Sequence, residues 1–331
     1  MKRVVCFGEL MLRLSPPGDE RLFQSPQLRT WFGGSEANVA AGIVHLGGAA
    51  SYVTRLPRNA VGDAALAALR AEGIGVDGIL RGGERMGIYF VESGADLRPM
   101  RVVYDRAGSA FSRIDPDELR WHSILDGAGW LHLSGITPAL GEGPASAALE
   151  AARTARSAGV KVSVDLNYRP ALWAGRDPKT VVPQLVRGCD LLVGNPGAAA
   201  AMLGVDSGEG DSHDPVFVRR AAERIAGELE CGAVAITLRD VVSASEHRWS
   251  AALWDGAQMH AARRHTVRIV DRVGGGDSFA AALIFALQTG REGTDALEFA
   301  TAASALKLTI PGDFNRVSAA EVDRLLESPA A

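Results

Sequence analysis

The sequence has few cysteines and no long apolar run, and each scarcity excludes a class of protein. Its three cysteines, Cys6, Cys189 and Cys231, lie far apart and form no CxxC pair. This excludes a dithiol redox motif and predicts a reduced, cytoplasmic chain. No apolar stretch approaches the ~20 residues that a membrane helix needs, and no signal peptide precedes the first predicted strand. We therefore expect a cytoplasmic protein with no membrane partner.

Charge and motif content exclude further classes. The chain contains 35 Lys and Arg against 39 Asp and Glu, a net charge of −4, whereas a nucleic-acid-binding protein would carry a basic surplus. Neither GxxxxGK[ST] nor GxGxxG occurs, so the P-loop and the dinucleotide-binding fingerprint are absent. The seven histidines form no HExxH motif, and no metal-ligating residues are predicted.

Along most of the chain, segments with the apolar pattern of a strand alternate with segments of helical spacing. The predicted strands are 4–7, 51–54, 130–133, 161–165, 190–193, 233–238 and 267–273. The predicted helices are 37–46, 63–72, 144–157, 178–186, 215–229, 277–288, 294–308 and a last helix from the capping box of Ser318 and Glu321 to about residue 327. This alternation predicts an α/β fold with a mainly parallel sheet flanked by helices. The polar segment 206–214 is predicted to be an exposed loop.

Two stretches, approximately 10–32 and 86–112, interrupt the alternation. The first contains short β-like pieces separated by prolines, and in the second the segments 87–92 and 100–105 look like paired strands. We expect a small β-sheet lid, inserted in a single domain that spans residues 1–331. Such a sheet has exposed edges and an apolar face to cover, so a homodimer or higher homo-oligomer through the lid is predicted.

Glycine is in excess, with 38 among 331 residues against a usual share of ~7%, and its C-terminal cluster is the most informative segment. In IVDRVGGGDSF, a predicted strand leads through Gly274, Gly275 and Gly276 directly into a helix. Free N–H groups at a helix N-terminus form an anion site, and glycine lets a phosphate approach closely. Asp277 could accept a proton from a hydroxyl that attacks that phosphate. Alternatively, Asp277 caps the helix after a flexible turn.

A second glycine cluster, GGSEAN at 33–38, lies at the entry to the helix 37–46. In one interpretation Ser35 caps this helix and Asn38 lies in its first turn. In the other, the glycines form the floor of a polar pocket in which Asn38 binds a polyol. The pairing with the C-terminal cluster favours the second interpretation.

Together the two clusters resemble the signatures of the PfkB, or ribokinase-like, carbohydrate kinase family, which has GGxxAN near the N-terminus and GxGD near the C-terminus. The resemblance runs from about residue 4 to 326 and is weakest at 204–214 and 243–265. Several segments are most similar to the 2-keto-3-deoxygluconate kinase group: GGSEANVA (33–40), VVYDR (102–106), DLNYRPALW (165–173), ITLR (236–239), IVDRVGGGDSFAA (269–281) and AASALKLTIPGDFNRVS (302–318). The resemblance implies a ribokinase-like fold and ATP- and Mg²⁺-dependent phosphorylation of 2-keto-3-deoxygluconate at O6.

The resemblance also implies a role for each matching residue. The catalytic residues would be Asp277 as general base and Gly274, Gly275 and Gly276 as the anion hole. The substrate-binding residues would be Gly33, Gly34, Asn38, Tyr89, Tyr104, Arg106, Arg169, Asp277 and Asp313. The ATP-binding residues would be Asn167, Arg169, Asn195, Thr237, Arg239, Gly274 and Gly276.

Arg106 and Arg169 favour an acidic sugar as the substrate. A keto-deoxy sugar acid has a carboxylate, for which a planar guanidinium is the best partner, whereas a neutral hexose needs no cation. Arg106 lies on a predicted lid strand, and Arg169 follows the strand 161–165 at the sheet edge where α/β proteins bind ligands. Alternatively, both arginines form ion pairs on the surface.

Two positions depart from the family pattern. The family often has NxxE before a short helix, but Asn195 is followed by Pro196, Gly197 and Ala198. Without that Glu, Mg²⁺ would be held mainly by ATP and water. Arg272 replaces the Thr of many relatives and either clamps a phosphate or points into solvent. The alternatives to the proposed activity are a fructokinase, a 5-keto-2-deoxygluconate kinase, a nucleoside kinase, or a non-catalytic sugar or nucleotide sensor.

Overall fold

The computed structural model describes residues 1–211 and 213–327, so residue 212 of the predicted loop 206–214 and residues 328–331 of the predicted domain lie outside the described residues. In chain order the strands are β1 (Arg3–Phe7), β2 (Met11–Ser15), β3 (Arg29–Gly33), β4 (Ala50–Leu56), β5 (Ile79–Arg81), β6 (Gly87–Glu92), β7 (Arg101–Asp105), β8 (Ala128–Ser134), β9 (Lys161–Asp165), β10 (Leu191–Gly194), β11 (Val234–Ser243), β12 (Glu246–Trp254), β13 (Met259–Ala261) and β14 (His265–Arg268).

The α-helices are α1 (Ser35–His45), α2 (Ala60–Ala71), α3 (Trp121–Ile124), α4 (Glu142–Ser157), α5 (Val182–Val186), α6 (Pro196–Leu203), α7 (Pro215–Leu229), α8 (Gly275–Gln288), α9 (Gly293–Lys307) and α10 (Ala319–Glu327). Short 3-10 helices lie at Phe111–Arg113, Pro116–Glu118, Thr137–Leu140, Pro170–Trp173 and Pro178–Thr180. No helix of the described chain has the length and apolar character that a membrane span requires.

The large sheet confirms the predicted α/β fold. Its order is β13-β12-β11-β10-β9-β8-β1-β4-β5, and β14 also pairs with β12. The strands from β11 to β5 are parallel, and β12 to β14 add an antiparallel edge. In β1, Val4 and Cys6 pack into one apolar core, whereas Val5 and Phe7 pack into the core on the other face. Burial on both faces explains why these strands are continuous apolar runs.

A separate four-stranded sheet has the order β3-β2-β6-β7. Its strands β2 and β6 are parallel, whereas the outer pairs are antiparallel. The sheet is built from the two stretches that interrupt the alternation, as predicted, except that β3 extends to Gly33. We call it the small sheet.

The predicted strand 267–273 is wrong beyond Arg268. The chain leaves the sheet there because the N–H groups of Val270 and Asp271 both donate to the carbonyl oxygen of Leu308, at distances of 2.9 and 3.2 Å. Moreover, β14 is antiparallel to β12, so no parallel strand leads into the glycines. The alternating apolar pattern predicted a strand but could not reveal this competing backbone partner.

Two other predictions in the large domain are also corrected. The predicted helix 178–186 is divided into the 3-10 helix Pro178–Thr180 and α5, because the chain between them leaves helical geometry at Val181 and Pro183 restarts a helix without donating a backbone hydrogen bond. The strand predicted at 233–238 extends to Ser243 and forms a hairpin with β12, which the sequence patterns did not predict. The capping box is confirmed, since the Ser318 N–H donates to Glu321 Oε2 at 2.8 Å.

Candidate active site

A cavity of about 1170 Å³ lies between the small sheet and the carboxyl ends of the parallel strands. This edge is where open α/β sheets bind ligands. Every residue that was predicted to bind sugar or ATP lines the cavity except Gly33. Gly33 lies directly behind the wall, where a Cβ would overlap the Asp313 carboxylate. The fold therefore brings the predicted residues together from eight separate segments between positions 33 and 313.

Asp277 lies in the first turn of α8, and its carboxylate is held by α1. Ser35 Oγ donates to Oδ1 at 2.8 Å, and Asn38 Nδ2 donates to Oδ2 at 2.7 Å. Burial raises the pKa of Asp277, while these two hydrogen bonds and the charges of Arg169 and Lys307 act in the opposite direction. Neither helix is capped by these side chains, since Gly34 and Gly274 are the N-caps. The capping interpretations of Ser35 and Asp277 are therefore wrong.

The glycine loop has the geometry that its sequence requires. Gly274 has φ +80°, a left-handed conformation that favours glycine, and a Cβ there would overlap the carbonyl oxygen of Asp313. A Cβ on Gly276 would meet no atom and would project into the cavity. The first N–H groups of α8 have no partner within the helix, so the loop presents donors and the positive end of the helix dipole to a bound anion.

Three arginines line the cavity close to one another. Among residues 1–211 and 213–327, Arg169, Arg239 and Arg272 form no ion pair with a carboxylate. Partial desolvation lowers the pKa of Arg272, and the charges of Arg239 and Arg169 lower it further. Burial lowers the pKa of His247 to about 4, and the charges of Arg239 and Arg272 contribute to this shift. Uncompensated positive charge of this kind favours an anionic ligand. Arg272 thus lines the cavity instead of extending into bulk solvent.

Two buried carboxylates beside Asp277 were not predicted. Asp165 ends β9, and burial together with the charge of Asp277 raises its pKa to about 7. Glu36 in α1 accepts hydrogen bonds from Ser134 (2.6 Å) and Thr137 (2.9 Å), and burial raises its pKa to about 6. The sequence offered two indications of these carboxylates: Asp165 ends a buried strand, and Glu36 lies in an apolar helix. Neither signal identifies a partner.

Asn167 and Asn195 connect the cavity to these strand ends. Asn167 has φ +38°, its N–H donates to Asp165 Oδ1 at 2.9 Å, and its amide donates to Ser35 Oγ at 2.8 Å. It therefore reaches Asp277 through Ser35. Asn195 caps α6 by accepting the N–H of Ala198 at 2.9 Å. Thr237 lines the cavity on β11, next to the arginines.

The wall formed by the small sheet contains stacked aromatic rings and paired charges. Tyr89 and Tyr104 stack with centroids 5.9 Å apart, and the guanidinium of Arg106 lies 5.7 Å from the Tyr104 ring centroid. Arg106 is buried and donates through Nε to Glu9 Oε2 at 2.8 Å, with a second contact from Nη2. Arg106 is therefore in an ion pair, but a buried one that lines the cavity. Glu9 was missed because it follows β1, 97 positions away.

Asp313 lies between the two glycine clusters. Its carboxylate accepts the Tyr89 hydroxyl and contacts Gly33, while its carbonyl oxygen contacts Gly274. Among the described residues, no group of three or more His, Cys, Asp or Glu side chains is placed to hold a metal ion. The polar groups of the cavity instead offer N–H donors and guanidinium groups, which fit the phosphates of ATP.

A glycine-lined helix N-terminus, a buried carboxylate and arginines that have no acidic partner among the described residues are the features expected of an enzyme that transfers a phosphoryl group to a hydroxyl. The family model for pfkB family carbohydrate kinases matches residues 1–319, and the chain belongs to this family. The predicted family, the ribokinase-like fold and the class of carbohydrate kinase are thereby confirmed.

Three relatives refine this assignment. The 2-dehydro-3-deoxygalactonokinase of Haloferax volcanii is 34% identical over 325 residues, which cover 98% of this chain and 96% of the relative. The 2-dehydro-3-deoxygluconokinase of Thermoproteus tenax is 28% identical and covers 99% and 95% of the two chains. The crystal structure of 2-dehydro-3-deoxygluconokinase from Thermotoga maritima is 44% identical, with a TM-score of 0.95 and coverage of 98% of both chains.

Proposed function

We propose that this carbohydrate kinase transfers the γ-phosphate of ATP to the O6 hydroxyl of 2-keto-3-deoxygluconate. The carrying observation is the Asp277 carboxylate, held by Ser35 and Asn38 at the entrance of a glycine-lined helix N-terminus. The relatives named for 2-dehydro-3-deoxy sugar acids, the first at 34% identity and the crystal structure at 44%, support this substrate class.

In the proposed reaction Asp277 removes the proton from the attacking hydroxyl. Burial raises the pKa of Asp277, and the hydrogen bonds from Ser35 and Asn38 oppose that effect by favouring the ionised carboxylate that acts as the base. The N–H groups of Gly274, Gly275 and Gly276 donate to the oxygens of the phosphoryl group as its charge is redistributed. When bound, ATP supplies that group, and Mg²⁺, held by the phosphates and water, balances its charge.

The two ends of the cavity are assigned to two ligands. Asn167, Asn195, Thr237, Arg239, Gly274 and Gly276 line the ATP end, with Arg169 between the ends and Arg272 added to the phosphate contacts. Gly34, Asn38, Tyr89, Tyr104, Arg106 and Asp313 line the sugar end, with Gly33 behind them.

Arg106 and Arg169 are proposed to bind the carboxylate of the sugar acid. Glu9 already occupies Nε and Nη2 of Arg106, so Arg106 is oriented rigidly and offers Nη1. Arg169 has no carboxylate partner among the described residues, and it supplies the uncompensated charge. A guanidinium fork matches a carboxylate better than an ammonium does.

We also propose a cytoplasmic protein with a single domain, in which the small sheet acts as a lid and as an oligomer interface. The edge strand β7 exposes Val103, at 42% of its surface, and Val103 does not line the cavity. Light scattering should give at least a dimer for the wild type and a monomer for Val103→Lys. A monomeric wild-type protein would overturn this part of the proposal.

The activity is tested by ADP release with a panel of substrates: 2-keto-3-deoxygluconate, 2-keto-3-deoxygalactonate, 5-keto-2-deoxygluconate, fructose and adenosine. We expect the highest kcat/KM with the first two acids. A preference for fructose or adenosine would replace the substrate assignment. Binding of a sugar in calorimetry with no ADP release would instead support a sensor.

A further inference from the structure

Arg13, in the middle of β2, has no part in the interpretation above. It is only 1% exposed and is the largest fully buried side chain among the described residues. Each nitrogen of its guanidinium is used: Nε donates to Ser15 Oγ at 3.0 Å, Nη1 to Asp313 Oδ2 at 3.0 Å and Nη2 to Asp271 Oδ2 at 2.7 Å. A strand of the small sheet is thus joined to two loops of the large domain.

The two acids that Arg13 binds support the glycine loop from both sides. Asp271 accepts the N–H of Val273 at 3.1 Å and the N–H of Gly312 at 3.0 Å. Asp313 follows that glycine, and its carbonyl oxygen lies against Gly274. Through these two acids, Arg13 holds the backbone at Val273 and Gly274, immediately before the N–H groups proposed to bind phosphate.

On its other side, Arg13 belongs to a row of side chains that crosses the small sheet. Trp31, Arg13, Tyr89 and Tyr104 are successive cross-strand partners. The guanidinium carbon lies 5.0 Å from the Trp31 ring centroid, and the two tyrosines stack. Because Tyr104 ends the row in the proposed sugar end of the cavity, a continuous set of contacts runs from the sugar to the glycine loop.

Stability alone does not account for this arrangement, because desolvation of a buried ion pair offsets most of its Coulomb attraction. The cluster is balanced: Arg13 and the fully buried Lys307, whose Nζ donates to the Ile310 carbonyl oxygen at 3.1 Å, face Asp271 and Asp313. A rigid fork that binds two acids at once specifies a single relative position of its neighbours.

We propose that Arg13 is a positioning residue that fixes the glycine loop to the small sheet, so that contact of the sheet with the sugar sets the geometry of phosphoryl transfer. The kinetic part of this proposal rests on the proposed kinase function. The structural part, that Arg13 holds the loop, does not depend on the identity of the sugar.

The structural part is tested by amide hydrogen exchange of the ligand-free protein. Arg13→Lys keeps the charge but loses the fork, so the segments 271–276 and 310–314 should exchange faster in this variant. The control is Arg3→Lys. Arg3 also makes three hydrogen bonds between separate segments, but it lies at the N-terminal end of β1 and does not line the cavity. Unchanged exchange in both segments would overturn the proposal whatever the substrate is.

The kinetic part is tested with the same variants. Arg13→Lys should lower kcat on the order of tenfold to hundredfold, as expected for a misplaced reacting group, while the sugar KM changes less than about threefold. ADP release should also exceed sugar-phosphate formation, and Arg3→Lys should show neither effect. If Arg13→Lys and Arg3→Lys differ from the wild type only in Tm, Arg13 is merely structural.

Asp271→Asn provides a second route if Arg13→Lys is recovered unfolded. It weakens the same ion pair from the other side, and it should show the same loss of kcat and the same faster exchange. An Asp271→Asn variant with wild-type kcat and exchange would contradict the proposal.

Discussion

The two ends of the cavity hold their charges in opposite ways. At the phosphate end Arg239 and Arg272 have no carboxylate partner among the described residues. Burial lowers the pKa of His247 to about 4, and the charges of these two arginines contribute to that shift. At the sugar end Arg106 is neutralised by Glu9. Unpaired cations attract a ligand that brings several negative charges, whereas paired and immobile charges orient a ligand without a strong net field. This difference in charge supports the proposed placement of ATP at one end of the cavity and the sugar acid at the other.

The largest expected effect is at the boundary between the two ends. Asp277→Asn should lower kcat at least ~100-fold because the attacking hydroxyl loses its general base, while calorimetric binding of ATP and sugar changes little. The control is Asp295→Asn, which also alters the first turn of a helix, α9, but at an exposed position. A folded Asp277→Asn variant with near-normal turnover would remove Asp277 as the base.

The proposed contact between Arg106 and the sugar carboxylate is tested by comparing an acidic with a neutral sugar. Arg106→Ala should raise KM on the order of tenfold or more for a sugar acid and far less for fructose. Because Glu9 would remain buried without its partner, Glu9→Gln combined with Arg106→Met is the control for that penalty. Equal losses for the acid and the neutral sugar in the double variant would contradict the proposed carboxylate contact.

The phosphate end should respond in the complementary way. Arg272→Gln should raise the KM for ATP roughly tenfold through loss of a charge-assisted contact, with little change in the KM for the sugar. Arg248→Gln is the control, because Arg248 lies on β12, which pairs with β14, but does not line the cavity and pairs with Asp240 at 3.2 Å. An Arg272→Gln variant that affects only the sugar would reverse the assignment of the two ends.

The last prediction concerns the dependence of stability on pH, and we expect it to change activity least. The folded pKa of Asp165, about 7, lies above its ordinary value of 3.8, so the folded state binds more protons than the unfolded state between those values. Stability therefore falls as pH rises through this window, by at most about 4 kcal/mol for this group. Asp165→Asn should raise Tm more at pH 8 than at pH 4. A similar change in Tm at both pH values would show that folding does not raise the pKa of Asp165.

The features of the site that could be predicted from the sequence are those formed by residues close together in the chain. Gly274 and Asp277 lie on one turn, and a glycine run before an apolar helix has few physical interpretations. Asn38 was recognised from its motif, but its hydrogen bond to Asp277, 239 positions away, was not predicted.

The contacts that the sequence did not predict join distant segments. Arg13 and Asp313 are 300 positions apart, and no local period indicates that an arginine in a strand is buried or which acids it meets. The strand predicted up to residue 273 was wrong for a related reason, because the carbonyl of Leu308 takes N–H groups that a strand would need. Local patterns therefore predicted most helices, strands and motifs. Hydrogen bonds between residues distant in sequence determined where the predicted strand 267–273 ends and which side chains meet.

The proposed activity is transfer of a phosphoryl group to one hydroxyl of a sugar acid. The most direct test is ³¹P and ¹³C nuclear magnetic resonance of the product formed by the wild-type enzyme from ATP, Mg²⁺ and 2-keto-3-deoxygluconate. We predict a phosphate ester coupled to C6. Free inorganic phosphate alone, or an ester at another carbon, would contradict it.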